Sequence, residues 1–575
     1  MSISKGLAKW ARGLDQSDLA KRFGTPLYVT SLAQLTKNAK DWSRLTGNPR
    51  DIAWPVKANP SFAVLRHFAK LGCSVDCASE SEIRSAVMVG IPWSGILYNT
   101  PVPNRDLLAH VIRKGGIGVV DSTGILQGLQ QALNGQEFAG QIFVRVSPRL
   151  PVEYLHHADW ESSVAHASSS SKFGIPEESI VELLKACQIP IRGLHMHVGT
   201  QMDHLDPFKR AVELLHGLAD EIHQNTPHRI EALDLGGGLG ICFQEKESFP
   251  AILEYVAAMK GSLRSDFRYL VEPGHALVGN AVALLTRVRE VKEIRGRRWA
   301  LVDAGTDQLA KVTLMNWYHE VLGPDGVPLP TEGSDAVGGP HCFAGDLLVP
   351  HTQLGSIRPG DTLLVQHVGA YCYSLANHFN GRFGPSHVAI SEDGQSVTKT
   401  QQPEDWFFDS GNIGFDWFDR TEPTAAHQTA IQKQLPLDHV RSLSSQYLSQ
   451  LANNDRYEII AASRLGPDRY FFEVQVQCDV DFISMPFAIR IVGDATIVAT
   501  LDCMQKQSKD VCVWATRLAM RAESVLPVDR PLRVEIHISP PIDLYPSDRA
   551  RSIAHWSINE GQFSGSFYLS ISRYQ

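Results

Sequence analysis

From about Ile52 to Gly274 the chain keeps one rhythm: short β-branched or apolar runs end in Gly, Asn, Asp or Pro, and helix-like segments follow. The runs are Ile52–Val56, Cys73–Asp76, Ile96–Asn99, Ile117–Asp121, Ile142–Val146, Arg192–His197, Ala232–Leu235 and Tyr269–Glu272. Between them, stretches such as Phe62–Leu71, Ser81–Val89 and Pro207–Gln224 carry the apolar spacing of amphipathic helices. Strands alternating with helices imply a parallel sheet. Eight such units over about 220 residues predict an α/β fold, a closed (β/α)8 barrel spanning residues 25–282.

After about Ala283 the pattern changes. Leu285–Val291, Trp299–Val302, His341–Ala344 and Thr362–Val365 are short strand candidates separated by turns such as Gly323-Pro324 and Pro359-Gly360. They predict an antiparallel β domain, a sandwich or small barrel, over 283–391 together with 1–24. Residues 392–436, rich in Asp, Gln and Thr, read as a linker, and Trp406, Phe407, Phe408, Phe415, Trp417 and Phe418 suggest that it docks. In 437–575, helices near Leu437–Leu451 and Val511–Ala522 alternate with strands at Tyr457–Ala462, Tyr470–Cys478, Ala488–Val492, Thr496–Leu501, Leu532–Ile538 and Gly565–Ile571. This predicts a separate small α+β domain without a chemical motif, where His537, His555 and Glu560 read as ordinary surface or core residues.

Composition narrows the class. With 575 residues, 43% hydrophobic and 20% charged, the chain can bury a core without disulfides or a metal. A net charge of -8 without long runs of one sign gives no footprint for nucleic acid. No apolar stretch reaches the roughly 18–20 residues of a membrane span, and Met1–Arg12 lacks the apolar centre of a signal peptide. The expected location is cytoplasmic. The nine cysteines are scattered, and Cys73 and Cys77 have no downstream partners at zinc spacing, so no metal is expected.

In a (β/α)8 barrel the reacting groups come from the C-terminal ends of the strands. Here those ends carry Lys57, Asp76, Asn99, Asp121, Arg145, His197, the run Gly236-Gly237-Gly238 and Glu272. Any one of them could be a satisfied structural residue, but a barrel built only for stability has no need of such positions at every mouth. Together they suit one cofactor. A lysine can condense with an aldehyde once its amine is deprotonated. A glycine-rich turn lets backbone N–H groups approach a phosphate. A carboxylate such as Glu272 can keep a pyridine nitrogen protonated, and an imidazole such as His197 can stack on a planar ring. Aldehyde, phosphate and pyridine together describe pyridoxal 5'-phosphate (PLP).

The same residues carry a family resemblance. Val56-Lys57-Ala58-Asn59 resembles the cofactor-lysine motif of the fold-type III PLP decarboxylases, the ornithine/diaminopimelate decarboxylase family, whose barrel is alanine-racemase-like. Asp76-Cys77-Ala78-Ser79 with Glu82, Ser171-Lys172-Phe173-Gly174, His197-Val198-Gly199-Thr200, Gly236-Gly237-Gly238, Glu272-Pro273-Gly274, Gly339-Pro340-His341-Cys342 with Asp346, and Gly369-Ala370-Tyr371 resemble further family motifs in the family's order. The resemblance spans about residues 20–390. It implies that Lys57 carries PLP, His197 stacks on its ring and Glu272 pairs with its nitrogen. Thr200, the three glycines and Tyr371 would hold the phosphate, with Gly274 and His275 beside them, and Asp76 and Arg145 would line the pocket. It also implies a head-to-tail homodimer with shared active sites. In it Cys342 of one copy protonates the substrate's α-carbon after CO2 leaves, and Asp346 approaches the substrate's distal end.

Four positions depart from the family pattern. His275 stands where Arg usually follows Glu-Pro-Gly, although it could keep a phosphate role. After Asp303-Ala304-Gly305, Lys311 and Met315 replace the Arg and Tyr of diaminopimelate decarboxylases. Phe343 replaces the Glu that grips the second amino group. A site built to pair charged groups discriminates strongly when those groups change. The expected substrate is therefore a modified or conjugated diamino acid, free or carrier-bound, in siderophore or other natural-product assembly, rather than meso-diaminopimelate. A PLP racemase would need a second base, usually Tyr, where Cys342 stands. A PLP-free regulatory protein of the antizyme-inhibitor type would need a damaged site, whereas Lys57, Glu272 and Cys342 are all present.

Overall fold

The computed structural model describes residues 9–150, 171–244, 247–315, 317–382 and 384–401, and beyond them only the strands named below. The chain divides into two units, Met1–Asp416 and Trp417–Gln575.

In the first unit, β1 (Leu27–Ser31) precedes the barrel. The barrel staves are β2 (Ala53–Pro55), β3 (Ser74–Cys77), β4 (Ile96–Tyr98), β5 (Ile117–Val120) and β6 (Gln141–Ser147). A two-residue strand β7 (Ile175–Pro176) pairs only with β6. The staves continue with β8 (Gly193–His195), β9 (Ala232–Asp234) and β10 (Arg268–Leu270). Neighbours are parallel from β2 round to β10. A parallel bridge between Ile52 and Val271, with Ala53 N–H donating to Val271 O at 2.9 Å, closes the ring. All eight predicted runs are staves.

Both faces of each stave are covered, so the runs are short and almost wholly apolar, as parallel strands must be. Inside, Ala53, Leu97, Ile117, Val119, Phe143, Ala232 and Leu270 form one cluster. Gly193 makes room for it, because a Cβ there would stand 2.4 Å from the Phe143 ring. Outward residues such as Trp54, Val75 and Leu194 meet the helices. The turns after the staves are locked by side chains. Ser79 Oγ accepts the Glu82 N–H that opens helix Glu80–Met88, and Glu82 Oε2 accepts the Ala78 N–H at 2.6 Å. Caps of this kind contribute about 1 kcal/mol each and here hold the loop that follows Asp76.

The second layer is a mixed sheet made of β1, β11 (Val282–Ile294), β12 (Arg297–Val302), β13 (Val321–Leu322), β14 (Asp335–Gly338), β15 (Leu347–Thr352), β16 (Thr362–Val365), β17 (Ser386–Ile390) and β18 (Val397–Gln401). Most pairs are antiparallel, as expected, but β1–β17 and β12–β14 are parallel. β1 pairs with β11 and β17, so the N-terminal share of this domain runs to Ser31 rather than to residue 24. Its five residues are all buried, which looks the same in sequence as a barrel stave. His341–Ala344, read as a strand, is instead a loop between β14 and β15, since Gly339-Pro340 ends the ladder.

The second unit, among the described residues, is made of strands. One sheet runs β19 (Lys433–Gln434), β20 (Arg456–Arg464), β21 (Arg469–Gln477), β25 (Leu532–Ile538), β27 (Arg549–Ile558), β28 (Phe563–Arg573) and β23 (Val511–Ala522). β26 (Ile542–Leu544) joins β27, and β22 (Phe482–Ile483) pairs with β24 (Leu526–Pro527). The helix predicted at Val511–Ala522 is therefore corrected to a strand antiparallel to β28. Its Val, Trp and Thr content satisfies strand propensity, and long-range pairing decides what periodicity over one such window cannot. The helix expected at Leu437–Leu451, the strands at Ala488–Val492 and Thr496–Leu501, the docking aromatics of the linker and Glu560 lie outside the described residues.

Candidate active site

Lys57 follows β2 on a single turn, and its Nζ donates to Asp76 Oδ2 at 2.6 Å. The lysine side chain is 45% exposed at the barrel mouth, whereas Asp76 is fully buried. Burial works against the ammonium, but Asp76, Glu272 and Tyr371 outweigh it and hold the lysine above its ordinary value. In this state Lys57 is a charged anchor. Its amine becomes nucleophilic only when that charge is shared or displaced.

Strand register sets the rest. Arg145 on β6 lies beside His195 on β8, and His195 beside Asp234 on β9. Arg145 is buried, 3.6 Å from Asp121 Oδ2 and 3.4 Å from Asn99 Oδ1, with its guanidinium 4.3 Å from the Phe173 ring centre. His195 Nε2 lies 3.3 Å from both Glu272 Oε2 and the Asn99 amide nitrogen. Burial would raise the Glu272 carboxyl, but His195, Lys57 and Arg145 bring it below the usual value, so it is ionised at neutral pH.

The glycine run follows β9. Gly236 and Gly238 have φ of 63° and 127°, a region that L side chains rarely adopt. At Gly237 a Cβ would stand 2.2 Å from the Glu272 carbonyl oxygen. The Gly237 N–H donates to His197 Nδ1 at 3.0 Å, so His197, two residues beyond β8, is tied to this turn. Thr200 Oγ1 lies 3.2 Å from His275 Nδ1. The His275 ring centre is 4.8 Å from that of Tyr371, and a Cβ on Gly274 would stand 2.7 Å from the Tyr371 hydroxyl. Burial and the nearby Lys311 push His275 well below the ordinary histidine value. Its Nε2 is buried with no partner among the described residues.

Lys57, Asp76, Arg145, His197, Thr200, the glycines, Glu272, Gly274, His275 and Tyr371 thus converge on one mouth. Cys342, Phe343 and Asp346 do not. They lie on the β14–β15 loop of the second layer, where Phe343 and Asp346 line a groove with Thr25, Arg289, Trp299 and Arg382. Cys342 and Phe343 are exposed, and Asn380 Oδ1 accepts the Cys342 N–H at 3.0 Å. Asp346 is buried and accepts from Thr306 N–H, Thr306 hydroxyl and His341 N–H at 2.6, 2.8 and 2.9 Å, so here it organises its own loop. Lys311 is 1% exposed, donates to Ala370 O at 2.7 Å and lies 4.9 Å from the Phe243 ring centre. Met315 ends the same short helix. His195 and Asp234 were missed by motif reading. Alternation could have found them, since His195 shares a strand face with His197, and Asp234 is a lone acid in an apolar stave.

The arrangement fits PLP on its own terms. It offers an accessible lysine for the aldehyde, a glycine cradle that a Cβ would fill, and a buried carboxylate whose Oε1 lacks a donor among the described residues. The family model "Pyridoxal-dependent decarboxylase, pyridoxal binding domain" matches residues 32–279. The diaminopimelate decarboxylase of Methanothermobacter thermautotrophicus is 31% identical, over 68% of this chain and 92% of that protein. The chain belongs to the pyridoxal-dependent decarboxylase family. The diaminopimelate decarboxylase of Zymomonas mobilis is 29% identical over 69% of this chain and 95% of its own length. The crystal structure of the M. jannaschii diaminopimelate decarboxylase, at 25% identity, superposes with a TM-score of 0.59 over 66% of this chain and 90% of its own. As a family member the chain is a PLP-dependent amino-acid lyase, and PLP is its cofactor. No helix among the described residues is long and apolar enough to cross a membrane.

Gly237→Ala is expected to lower the thermal midpoint and weaken PLP retention, because the added methyl forces backbone apart at a cost of about 1–3 kcal/mol. Gly217→Ala is the control. It lies in helix Asp206–Asn225 with nothing within 4 Å of the added Cβ, and should be neutral or stabilising. Equal cofactor retention in the two variants would remove the glycine turn from the binding site.

Proposed function

We propose that this decarboxylase removes the α-carboxylate of a modified or conjugated diamino acid in a biosynthetic pathway rather than that of meso-diaminopimelate. The observation that carries the reading is Lys311. Where an arginine is expected to grip a distal carboxylate, this lysine is sequestered, with its amine on the Ala370 carbonyl and against Phe243 and Trp317. Burial lowers its affinity for a proton, which weakens it further as a carboxylate clamp. Phe343, 46% exposed beside Cys342, presents a ring where a second ammonium would want an acid.

When bound, PLP supplies the electron sink that makes loss of CO2 feasible. The residues of this chain do the rest. Lys57 would hold the aldehyde, and Asp76 Oδ2 steadies its Nζ. Glu272, kept ionised by His195 and Arg145, would pair with the ring nitrogen. His197, tied to Gly237, would pack against the ring. Thr200, His275, Tyr371 and the glycine turn would take the phosphate. Cys342, exposed on its loop, reaches the mouth of a second copy in a homodimer and gives its Sγ proton to the α-carbon.

The test is CO2 release by the PLP-loaded protein from meso-diaminopimelate, ornithine, lysine, arginine and N-acylated or citryl diaminopropionates. Turnover of a conjugated substrate, with meso-diaminopimelate at least about 100-fold poorer in kcat/KM, is expected, since mispaired charges cost several kcal/mol. Efficient turnover of meso-diaminopimelate would overturn the reading.

A further inference from the structure

Next to Glu272 lies a second buried acid that no motif assigns. Asp234 is 0% exposed at the end of β9, one strand from His195. Its Oδ1 accepts the Gly236 N–H at 2.9 Å. Its Oδ2 is buried and receives no donor among the described residues, and the same holds for Glu272 Oε1. Polar atoms of His195, Asp234 and Glu272 all lie within 4.8 Å of one another. Two acids this close, away from water, do not both ionise; a proton lies between them.

The surroundings say which acid keeps it. Glu272 faces His195, Lys57 and Arg145, all of which favour its charge. Asp234 faces the acids Glu272 and Asp76 and the phenol of Tyr255; His195 lies beside both acids but its Nε2 is 3.3 Å from Glu272 Oε2, and Arg145 is the other cation near Asp234. We propose that Asp234 is a protonated positioning residue whose carboxyl O–H donates to Glu272, holding that carboxylate ionised and oriented for the cofactor ring. The proposal rests on reading Glu272 as the partner of the ring nitrogen. It also gives the glycine turn a second tether: one carboxyl takes the Gly236 N–H and hands its proton to Glu272, so that turn and carboxylate are set by the same group.

Asparagine reproduces the neutral acid, its amide oxygen accepting from Gly236 and its NH2 donating to Glu272. In Asp234→Asn the apparent Kd for PLP is therefore expected to stay within about threefold of the parent, while Asp234→Ala weakens it about tenfold, the effect of one buried hydrogen bond. Circular dichroism checks that both variants fold. The direct readout is infrared spectroscopy of the cofactor-free protein at neutral pH, where the carbonyl stretch of a protonated buried carboxyl should be present in the parent and lost in Asp234→Asn. A band that survives in Asp234→Asn, or PLP binding as weak in Asn as in Ala, overturns the proposal. The infrared arm needs no cofactor, so its failure is distinct from a failure of the Glu272 reading, which would show as unchanged turnover in Glu272→Gln.

Discussion

Lys57→Ala is expected to lower CO2 release by at least about 10^4-fold, and to leave protein that loses its yellow cofactor absorbance on dialysis. The scale is that of removing a residue on which the chemical step depends. Lys311 is no substitute: it is buried and already donates to Ala370. The alanine variant also leaves the fully buried Asp76 without its cation, a structural penalty separate from the chemistry. Lys57→Arg separates the two effects. It keeps a cation beside Asp76, so the melting temperature should match the parent while CO2 release stays as low as in the alanine variant. Turnover in Lys57→Ala within tenfold of the parent would remove Lys57 from the chemistry.

The barrel could be read from the sequence because its signal is local and repeated. Each stave is a short apolar run ending in a residue that cannot continue it, such as Asp121 or Asn99, and Lys57, Asp76, Arg145 and Glu272 stand at or just beyond such ends. Their convergence follows from strand order alone, since parallel staves bring all their C-terminal ends to one face. What escaped the sequence depends on partners far along the chain. β1 looks like a stave and is claimed instead by β11 and β17. Val511–Ala522 fits either period until β28 pairs with it. Asp234 was hidden for another reason. A carboxyl between Leu233 and Leu235 reads as a polar interruption of an apolar strand, and its meaning comes only from register, which puts it beside His195 and against Glu272.

The departures from the family pattern also gain physical content. His275 and Lys311 appear in sequence as two independent losses of arginine. In the structure they are neighbours, and Lys311 helps hold His275 well below its ordinary pKa. With Phe243 and Trp317 packed around them, the pair forms a buried, weakly charged wall behind Thr200 and Tyr371 rather than an exposed cationic clamp. This is why the substrate argument rests on Lys311 and not on a count of substitutions.

Glu272→Gln should lower kcat by about 10^2 to 10^3-fold with little change in KM, the scale found when a preorganised electrostatic partner of a reacting group is lost. Glutamine keeps the size of the side chain and can still meet His195, so packing at this buried position is preserved. What it loses is the negative charge that the site maintains at some expense, because burial opposes it and His195, Lys57 and Arg145 restore it. With that charge gone, the ring nitrogen of PLP has no anion to keep it protonated and the electron sink weakens. The cofactor should still attach at Lys57, so absorbance is retained while turnover falls, the reverse of the pattern for Lys57→Ala. The wild-type carboxylate lies below its ordinary value, so an acid limb of kcat near neutral pH belongs to another group and should persist in the variant. If Glu272→Gln turns over within about tenfold of the parent, the carboxylate is structural and the ring nitrogen must find its partner elsewhere in the mouth.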